Sequence, residues 1–282
     1  MAGADIDPEW KADNALRTGY RTCAQFHARK NIVGFYPPGS REPVNIDSCP
    51  LCHQNLNRTL QRLRAARING TVKVTVNPAG EDVLVWKQRP HRRLSNLFDN
   101  VDHAGTKRRS QFLFDDRPVV NGAFVQSSLL LNRLLLEIVE SAADPKSLLD
   151  LYCGNGNLSL GFAGQVPVLG LDKDAAAVRA AAAMGKGNYE VAGEAAFAAA
   201  IDNGDWDTIV LDPPRGGAKR IMPAVAQSGA RCVIYVSCDP VTLARDAGAM
   251  IEAGYVPDRV TAIDMFPYTP HVEAVCRFTR AE

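Results

Sequence analysis

The chain changes its pattern near residue 126, and this change restricts the possible fold more than any other feature. From there to the C-terminus, short apolar runs alternate with stretches whose apolar residues recur at helical spacing. Such alternation is typical of an α/β fold in which helices cover a mostly parallel sheet. The predicted strands are residues 147–152, 166–171, 188–191, 208–211, 232–236, 260–264 and 272–278.

The connections between these strands predict a seven-stranded sheet with an antiparallel last strand. Helices are predicted over residues 127–142, 174–184 and 241–253. Residues 265–271, between the last two strands, are too few for a crossover helix, so these two strands must pair antiparallel.

Residues 1–110 are predicted to form a smaller α+β region, and residues 111–282 the second domain. Within the first region, strands are expected inside residues 20–35, a helix inside 50–70, and a hairpin from strands 71–76 and 83–86. Residues 88–105 are polar and basic without a period, which predicts a flexible or RNA-facing loop.

Length and composition exclude several classes of protein. The 282 residues are 46% hydrophobic and 22% charged, which fits a globular chain with a sizeable core. No apolar run approaches the roughly 18 residues of a membrane span, and residues 1–10 lack the pattern of a signal peptide. The seven cysteines, an odd number spread over the chain, argue against a disulfide framework. We therefore expect a cytoplasmic protein without membrane contact.

Charge is distributed unevenly along the chain. Residues 1–125 contain 19 Lys and Arg against 12 Asp and Glu, whereas residues 126–282 contain 13 against 19. The basic residues cluster at 58–67, 89–93 and 107–109. Such clusters can bind the phosphates of a nucleic acid, although charge alone is equally compatible with solvated helix faces and loops.

A glycine motif follows the first predicted strand of the α/β region. Gly154 and Gly156 allow the backbone to turn sharply beside a ligand at the strand end, and a helix is predicted to begin near Leu158. The next strand leads to Asp172, a carboxylate that can bind a ribose diol or cap the following helix. These residues predict a cofactor containing adenosine. A dinucleotide motif would need a third glycine where the chain has Ser159.

Three reactive residues stand at other strand ends of the same predicted sheet. Asp212 ends one strand, Cys238 follows another, and Glu273 lies at the opening of the last. In an open α/β sheet these ends face one crevice. The sequence therefore predicts a site that combines a thiol with two carboxylates.

Taken together, these motifs resemble those of the RNA uracil-5 methyltransferases, the family that forms 5-methyluridine in transfer and ribosomal RNA. The segments that show the resemblance lie in the family's order at residues 124–126, 150–157, 212–215, 237–246 and 264–273. The resemblance implies a class I, Rossmann-like methyltransferase domain, S-adenosylmethionine as cofactor and RNA as substrate. Residues 243–246 and 264–267 are more similar to the ribosomal RNA branch than to the transfer RNA branch.

The resemblance also implies roles for individual residues. Cys238 is the implied nucleophile, whose thiolate adds to C6 of uracil, and Glu273 is the implied base that removes the proton from C5. The implied cofactor contacts are Gln126, Tyr152, Gly154, Gly156, Asn157, Asp172 and Asp212. The implied substrate contacts are Asp212, Phe124, Arg215 and His271. We expect the protein to act as a monomer.

The chain departs from the family in its N-terminal part. Many members contain a β-barrel RNA-binding domain, and some a four-cysteine iron–sulfur site, but this sequence shows neither pattern. A four-ligand metal site could be drawn only from Cys23, Cys49, Cys52 and His53. These residues contain one C-x2-C pair, whereas such a site usually shows two pairs. We therefore expect no metal and no iron–sulfur cluster, and we expect the basic N-terminal region to bind the RNA.

Two other functions stay open at this point. Methylation of cytosine C5 in RNA uses related thiolate chemistry, although its cysteine usually stands in a T-C or P-C setting rather than in S-C-D-P. The second is a non-catalytic RNA-binding protein with a decayed methyltransferase domain, against which the intact Cys238, Glu273 and Asp212 argue.

Overall fold

The computed structural model of the protein describes residues 7–29 and 31–280. These residues form two compact units. The C-terminal unit comprises residues 7–13 and 133–280, and the N-terminal unit comprises residues 14–29 and 31–132. The domain boundary expected at residue 110 stays a prediction.

The described elements follow one another along the chain as strands and helices of ordinary length. The strands are β1 (Glu9–Lys11), β2 (Cys23–Arg29), β3 (Ile32–Phe35), β4 (Val44–Asn45), β5 (Gly70–Val76), β6 (Val83–Lys87), β7 (Asn100–His103), β8 (Gln111–Phe114), β9 (Arg117–Val120), β10 (Leu148–Leu151), β11 (Val168–Asp172), β12 (Asn188–Val191), β13 (Thr208–Leu211), β14 (Cys232–Ser237), β15 (Tyr255–Ile263) and β16 (Glu273–Arg280). The helices are α1 (Gln54–Ala65), α2 (Arg92–Ser95), α3 (Leu129–Ala142), α4 (Ala175–Ala182), α5 (Glu194–Asp202), α6 (Met222–Gln227) and α7 (Pro240–Glu252).

The C-terminal unit is built on a sheet whose described strands follow the order β1-β15-β16-β14-β13-β10-β11-β12. The strands from β10 to β14 pair in parallel, and β16 is antiparallel to its neighbours β14 and β15. The seven predicted strands and the antiparallel last strand are therefore confirmed. At the edge, β1 adds a strand parallel to β15. The sequence did not reveal β1 because three mostly exposed residues show no apolar pattern.

The centre of this sheet is covered on both faces. Every residue of β10, β13 and β14 is buried, and Leu149, Ile209 and Val233 are fully enclosed. Burial on two faces explains why these strands read as continuous apolar runs rather than as alternating patterns. The strand ends that follow are consequently held by a rigid core.

The N-terminal unit contains a sheet of order β4-β3-β2-β5-β6-β7 and a separate hairpin of β8 and β9. Helix α1 covers the larger sheet through Leu56, Leu60 and Leu63, which lie at helical spacing and are fully buried. Its opposite face exposes Arg58 and Arg62. The predicted helix and the β5–β6 hairpin are both present.

The prediction of a loop over residues 88–105 is wrong. This segment contains α2 and β7, and β7 pairs in parallel with β6. Asp102 of β7 is buried, and its carboxylate accepts hydrogen bonds from the backbone N of Ser110 at 2.7 Å and from the side chain of Asn121 at 2.8 Å. A buried polar side chain interrupts the apolar pattern by which a strand is predicted.

The helix expected to begin near Leu158 is not a regular α-helix. Residues 154–162 form consecutive turns, closed by bonds such as the one from Leu160 N to Gly156 O at 3.0 Å. Gly161 lies within the segment and Gly164 follows it with a φ of 88°, and glycine disfavours a helix because it loses the most backbone entropy on folding.

Within residues 7–29 and 31–280, no helix is long and apolar enough to cross a bilayer.

Candidate active site

Cys238 lies at the junction between β14 and α7. Asp239 caps α7, because its carboxylate accepts hydrogen bonds from the backbone N of Val241 at 3.0 Å and of Thr242 at 3.2 Å. The Ser237 hydroxyl in turn accepts from the backbone N of Asp239 at 3.1 Å. These local bonds fix the turn that presents the half-buried thiol.

Glu273 lies beside this turn at the start of β16. The ladder between β14 and β16 ends with Ser237 opposite Ala274, so one further step places Cys238 opposite Glu273. On its other side Glu273 pairs with Ile263 of β15. The Glu273 side chain is only 3% exposed. The thiol of Cys238 and the buried carboxyl group of Glu273 therefore lie next to each other, and their catalytic roles stay predictions.

Asp212 and Arg215 follow β13, which is the neighbour of β14 in the sheet. Leu211, the last residue of β13, pairs with Tyr235, and Asp212 comes directly after it. Two prolines separate Asp212 from Arg215 and keep this stretch extended. Asp212 is half-buried and Arg215 is exposed. The structure thus brings Asp212, Arg215, Cys238 and Glu273 to the same edge of the sheet.

The electrostatics of these four groups are coupled. Burial, together with the charge of Asp212, raises the pKa of Glu273 to about 8, and the Arg215 guanidinium opposes this rise. Burial raises the pKa of Asp212 to about 7. Burial and the charges of Glu273 and Asp212 also raise the pKa of the Cys238 thiol, which Arg215 lowers. A carboxyl group with a pKa near the working pH is suited to accept a proton during a reaction.

The glycine motif lies at the carboxyl end of β10, at the same edge of the sheet. Gly154 and Gly156 have φ values of 54° and 75°, which glycine adopts without strain. A Cβ on Gly156 would lie 2.9 Å from Leu160 Cγ, whereas a Cβ on Gly154 would meet no atom within 4 Å. The space beside Gly154 is therefore open to a ligand. Asn157, also predicted to contact the cofactor, is half-buried.

Asp172 supports this motif from the neighbouring strand. Its carboxylate accepts hydrogen bonds from the backbone N of Gly154 at 3.1 Å and of Asp174 at 2.7 Å. The cap of α4 is Asp174, not Asp172. A carboxylate has about four acceptor positions, so Asp172 keeps acceptor capacity for a ribose.

Tyr152 has a φ of 62°, an uncommon value for a residue with a side chain. Its hydroxyl donates a hydrogen bond to Glu194 at 2.9 Å, and its ring packs edge-on against Phe197 at 5.0 Å. Burial and the Glu194 carboxylate raise the pKa of Tyr152. The strained backbone and this contact orient Tyr152 beside the glycine motif. Glu194 was not predicted as a site residue; it opens α5, which follows β12, the strand on the far side of β11 from β10.

Asp150 of β10 is a second residue that was not identified as a site residue. It is 1% exposed, and neither carboxylate oxygen has a hydrogen-bond partner in the described part of the chain. Burial, assisted by the charges of Asp212 and Asp172, raises its pKa to about 8, although the nearby Ser159 opposes the rise. A buried carboxylate without a partner costs free energy unless a cation or donor satisfies it. Asp150, Asp172 and Asp212 together fit a positively charged ligand.

Phe124 and Gln126 belong to the N-terminal unit. Phe124 is 72% exposed, whereas Gln126 is buried. The residues before Phe124 are firmly held, because Asn121 donates hydrogen bonds to Val85 O and Asp102, and Lys73 donates to Ala123 O. The roles of Phe124 and Gln126 stay predictions.

His271 lies in the loop that leads to Glu273. It is exposed, and its ring contacts the ring of Phe266 edge-on at 5.9 Å. Its backbone N donates a hydrogen bond to Thr269 Oγ1 at 3.4 Å. These contacts shape the turn before Glu273, and a substrate contact of His271 stays a prediction.

The other six cysteines are also free thiols, and four of them are buried. Cys153 is buried, which raises its pKa and makes it a poor nucleophile. In the N-terminal unit, Cys52 is buried beside Cys49, and Cys23 Sγ accepts a hydrogen bond from Thr75 at 3.4 Å. No group of three or more His, Cys, Asp or Glu residues in the described ranges is arranged to hold a metal ion.

Known proteins are similar to this chain in sequence and in fold. A family model described as tRNA (Uracil-5-)-methyltransferase matches residues 197–280. The chain is 31% identical to a 23S rRNA (uracil(1939)-C(5))-methyltransferase of Methylococcus capsulatus, across 93% of this chain and 71% of that protein. It is 30% identical to a protein of the same name from Pseudomonas entomophila, across 98% of this chain and 71% of that protein.

A solved structure has the same fold over almost the whole chain. It is the tRNA (uracil-54, C5)-methyltransferase of Pyrococcus abyssi in complex with S-adenosyl-L-homocysteine, with a TM-score of 0.78. The match covers 97% of this chain and 79% of that chain at 22% sequence identity. The predicted class I methyltransferase fold with an additional N-terminal β region is thereby confirmed.

Proposed function

The chain belongs to the RNA uracil-5 methyltransferase family, and from this premise we propose that it methylates C5 of a uridine in ribosomal RNA through a covalent bond between Cys238 and the base. The proposal depends on one observation above all. The register of β14 and β16 sets Cys238 beside the buried Glu273, with Asp212 and Arg215 at the same sheet edge. The chemistry of uracil requires such a set of groups.

C5 of uracil is a weak nucleophile and must be activated before it can accept a methyl group. The Cys238 thiol loses its proton, the sulfur bonds to C6, and the electron pair of the C5–C6 double bond moves toward C5 and the O4 oxygen. Arg215 favours this step because its positive charge lowers the pKa of the thiol. Asp212, with a pKa of about 7, can hold the N3–H edge of the ring.

After methyl transfer, C5 bears both a methyl group and a proton. Glu273 removes that proton, the double bond re-forms, and the bond between C6 and sulfur breaks. Cys238 leaves as a thiolate, and one proton is released overall. Because burial raises the pKa of Glu273 to about 8, the carboxylate is a stronger base than an exposed glutamate.

The residues near the glycine motif suit S-adenosylmethionine. When bound, this cofactor supplies the electrophilic methyl group. The open space beside Gly154 and the unpartnered carboxylate of Asp150 match a ligand that is bulky and positively charged. Asp172 would hold the ribose. The other proposed contacts with the cofactor are Tyr152, Gly156, Asn157, Asp212 and Gln126.

The N-terminal unit is the proposed RNA-binding surface. Residues 14–132 contain 18 Lys and Arg against 8 Asp and Glu. Arg89, Arg92 and Arg93 are exposed around α2, and Lys107 and Arg108 are exposed after β7. Such a surface binds phosphates without reading sequence. The target nucleotide must flip out of the stack of neighbouring bases to reach Cys238. Its proposed contacts are Phe124, Arg215 and His271.

Ribosomal RNA is the proposed substrate because the two relatives above are named for 23S ribosomal RNA. Transfer RNA is the second candidate, since the family model carries that name. We further expect a monomer that acts in the cytoplasm, where its RNA is modified.

The experiment that tests this function compares RNA substrates directly. Purified protein and radiolabelled S-adenosylmethionine are mixed separately with unmodified 23S ribosomal RNA and with unmodified transfer RNA, and Cys238→Ala serves as the inactive control. We expect 5-methyluridine in the ribosomal RNA after nuclease digestion and mass spectrometry. Label in 5-methylcytidine, or label formed equally by Cys238→Ala, would contradict the proposal.

A further inference from the structure

The loop after β13 is fastened to helix α7 by three side chains of that helix. The Thr242 hydroxyl donates a hydrogen bond to Arg215 O at 3.3 Å, and the Arg245 guanidinium donates one to Gly216 O at 2.9 Å. Asp246 accepts a hydrogen bond from Ala218 N at 2.7 Å. The loop that contains Arg215 is thus bonded to the helix that begins directly after Cys238.

Asp246 is the central residue of this arrangement. It is only 3% exposed, and one carboxylate oxygen accepts hydrogen bonds from Ala218 N and from the Tyr235 hydroxyl, each at 2.7 Å. The other oxygen accepts from Arg245 Nε at 2.8 Å. Both oxygens are therefore satisfied, by one loop, one strand and the helix itself. A buried charge of this kind keeps its partners fixed, because separating them leaves it unpaired.

Gly217 shows how closely the loop approaches this carboxylate. Its φ is 73°, and a Cβ there would lie 2.4 Å from Arg245 Nη2 and 2.5 Å from Asp246 Oδ2. The Gly217 N also donates to Pro214 O at 2.8 Å, which closes a tight turn. The sequence therefore needs glycine at this position so that the loop can lie against Asp246.

We propose that Asp246 is a positioning residue that holds the Arg215 loop beside Cys238, so that the Arg215 guanidinium faces the thiol and Glu273. The inference deepens the proposed function and depends on it for its purpose, since Cys238 needs the nearby positive charge only if it acts as a thiolate. Asp246 touches neither thiol nor base and acts through Arg215.

The charged groups that face Cys238 determine the direction in which the pKa of its thiol should shift. Glu273 and Asp212 raise the pKa of the thiol, and Arg215 lowers it. If Arg215 is displaced, the thiol loses its favourable charge and becomes harder to ionise. Loss of the Asp246 negative charge by itself would act in the opposite direction, because fewer anions near a thiol favour ionisation. The two explanations therefore predict opposite shifts.

The test measures the reactivity of Cys238 without RNA or cofactor. The full chain is alkylated with iodoacetamide between pH 6 and pH 10, and modification of the Cys238 peptide is followed by mass spectrometry. The thiolate reacts and the thiol does not, so the midpoint of the rate profile reports its ionisation. We expect Asp246→Asn to move this midpoint to higher pH and to slow alkylation at pH 7.5 about three- to tenfold.

Two further variants show whether Asp246 acts through Arg215. Arg215→Gln should shift the midpoint in the same direction, and the double variant should equal Arg215→Gln alone, because an absent guanidinium cannot be misplaced. The matched control is Asp207→Asn, which removes another carboxylate paired with an arginine, Arg231, and should leave the profile unchanged. If Asp246→Asn does not fold, Tyr235→Phe removes one donor to Asp246 and should give a smaller shift of the same sign.

An unchanged midpoint in folded Asp246→Asn, a shift to lower pH, or additive shifts in the double variant would overturn the proposal. The proposed function fails separately, because it is judged by methylation of RNA and not by alkylation. A protein with the expected alkylation profiles and no 5-methyluridine product would leave the role of Asp246 standing and refute the proposed function.

Discussion

Replacement of Glu273 by glutamine separates the two halves of the proposed reaction. The glutamine keeps the shape of the side chain but cannot accept the proton from C5. It also removes the fraction of negative charge by which Glu273 raises the pKa of Cys238, so formation of the adduct should not slow. Glu273→Gln is therefore expected to accumulate methylated adduct on ordinary RNA.

The magnitude follows from the burial of Glu273. With a pKa of about 8, the carboxyl group is about one tenth ionised at pH 7 and about one half ionised at pH 8. Resolution of the wild-type adduct should therefore accelerate about fivefold between these two pH values. Removing a general base typically costs about 10² to 10⁴ in rate, and the residual rate of Glu273→Gln should lose this pH dependence.

The assay is a single-turnover experiment in which quenched samples are separated on denaturing gels. Labelled RNA that migrates with the protein measures the adduct, and free 5-methyluridine measures its resolution. Asp258→Asn is the matched control, since it removes a carboxylate near the opposite end of the β15–β16 pair, where Asp258 binds Arg277 at 2.7 Å. Resolution by Glu273→Gln within a few-fold of the wild-type rate, or with unchanged pH dependence, would show that another group takes the proton.

Substitutions of the proposed cofactor contacts and of the proposed RNA-binding surface have further measurable consequences. Burial raises the pKa of Asp150 from an ordinary 3.8 to about 8, so its contribution to stability is lost progressively as pH rises from about 4 to about 8. In the absence of cofactor, Asp150→Asn should therefore have a higher Tm than wild type at pH 9 in calorimetry, whereas an equal or lower Tm would refute the burial argument. Gly154→Ala should weaken binding of S-adenosylhomocysteine in calorimetric titration but cost only about 1 kcal/mol of stability, because the added Cβ meets only open space in the protein. Arg92→Gln with Arg93→Gln should reduce the slope of log affinity for RNA against log salt by about 1 per lost phosphate contact, whereas Arg179→Gln on α4 should not.

The sheet of the C-terminal unit could be predicted from the sequence because its strands are buried on both faces. Continuous apolar runs such as β10 and β13 stand out against the polar turns and helices between them. The segment 88–105 could not be predicted, because β7 is short and includes the buried Asp102. Local patterns do not reveal a strand that is stabilised by bonds to distant side chains.

The candidate site could be predicted in its membership but not in its geometry. Cys238, Glu273 and Asp212 were found because each stands at a strand end. Their adjacency depends on the register of β14 against β16, which sequence spacing does not fix. Asp246 was not found for a similar reason, since its partner Ala218 lies 28 residues away in the chain and meets it only in the fold.

The central claim is a covalent bond between Cys238 and the C6 atom of a uridine. It is tested most directly by incubating the protein with S-adenosylmethionine and RNA that contains 5-fluorouridine, which has no C5 proton to lose. After digestion, we expect a peptide containing Cys238 whose mass is increased by a methylated fluorouridine nucleotide. An adduct on any other residue, or full methylation of ordinary RNA by Cys238→Ala, would contradict it.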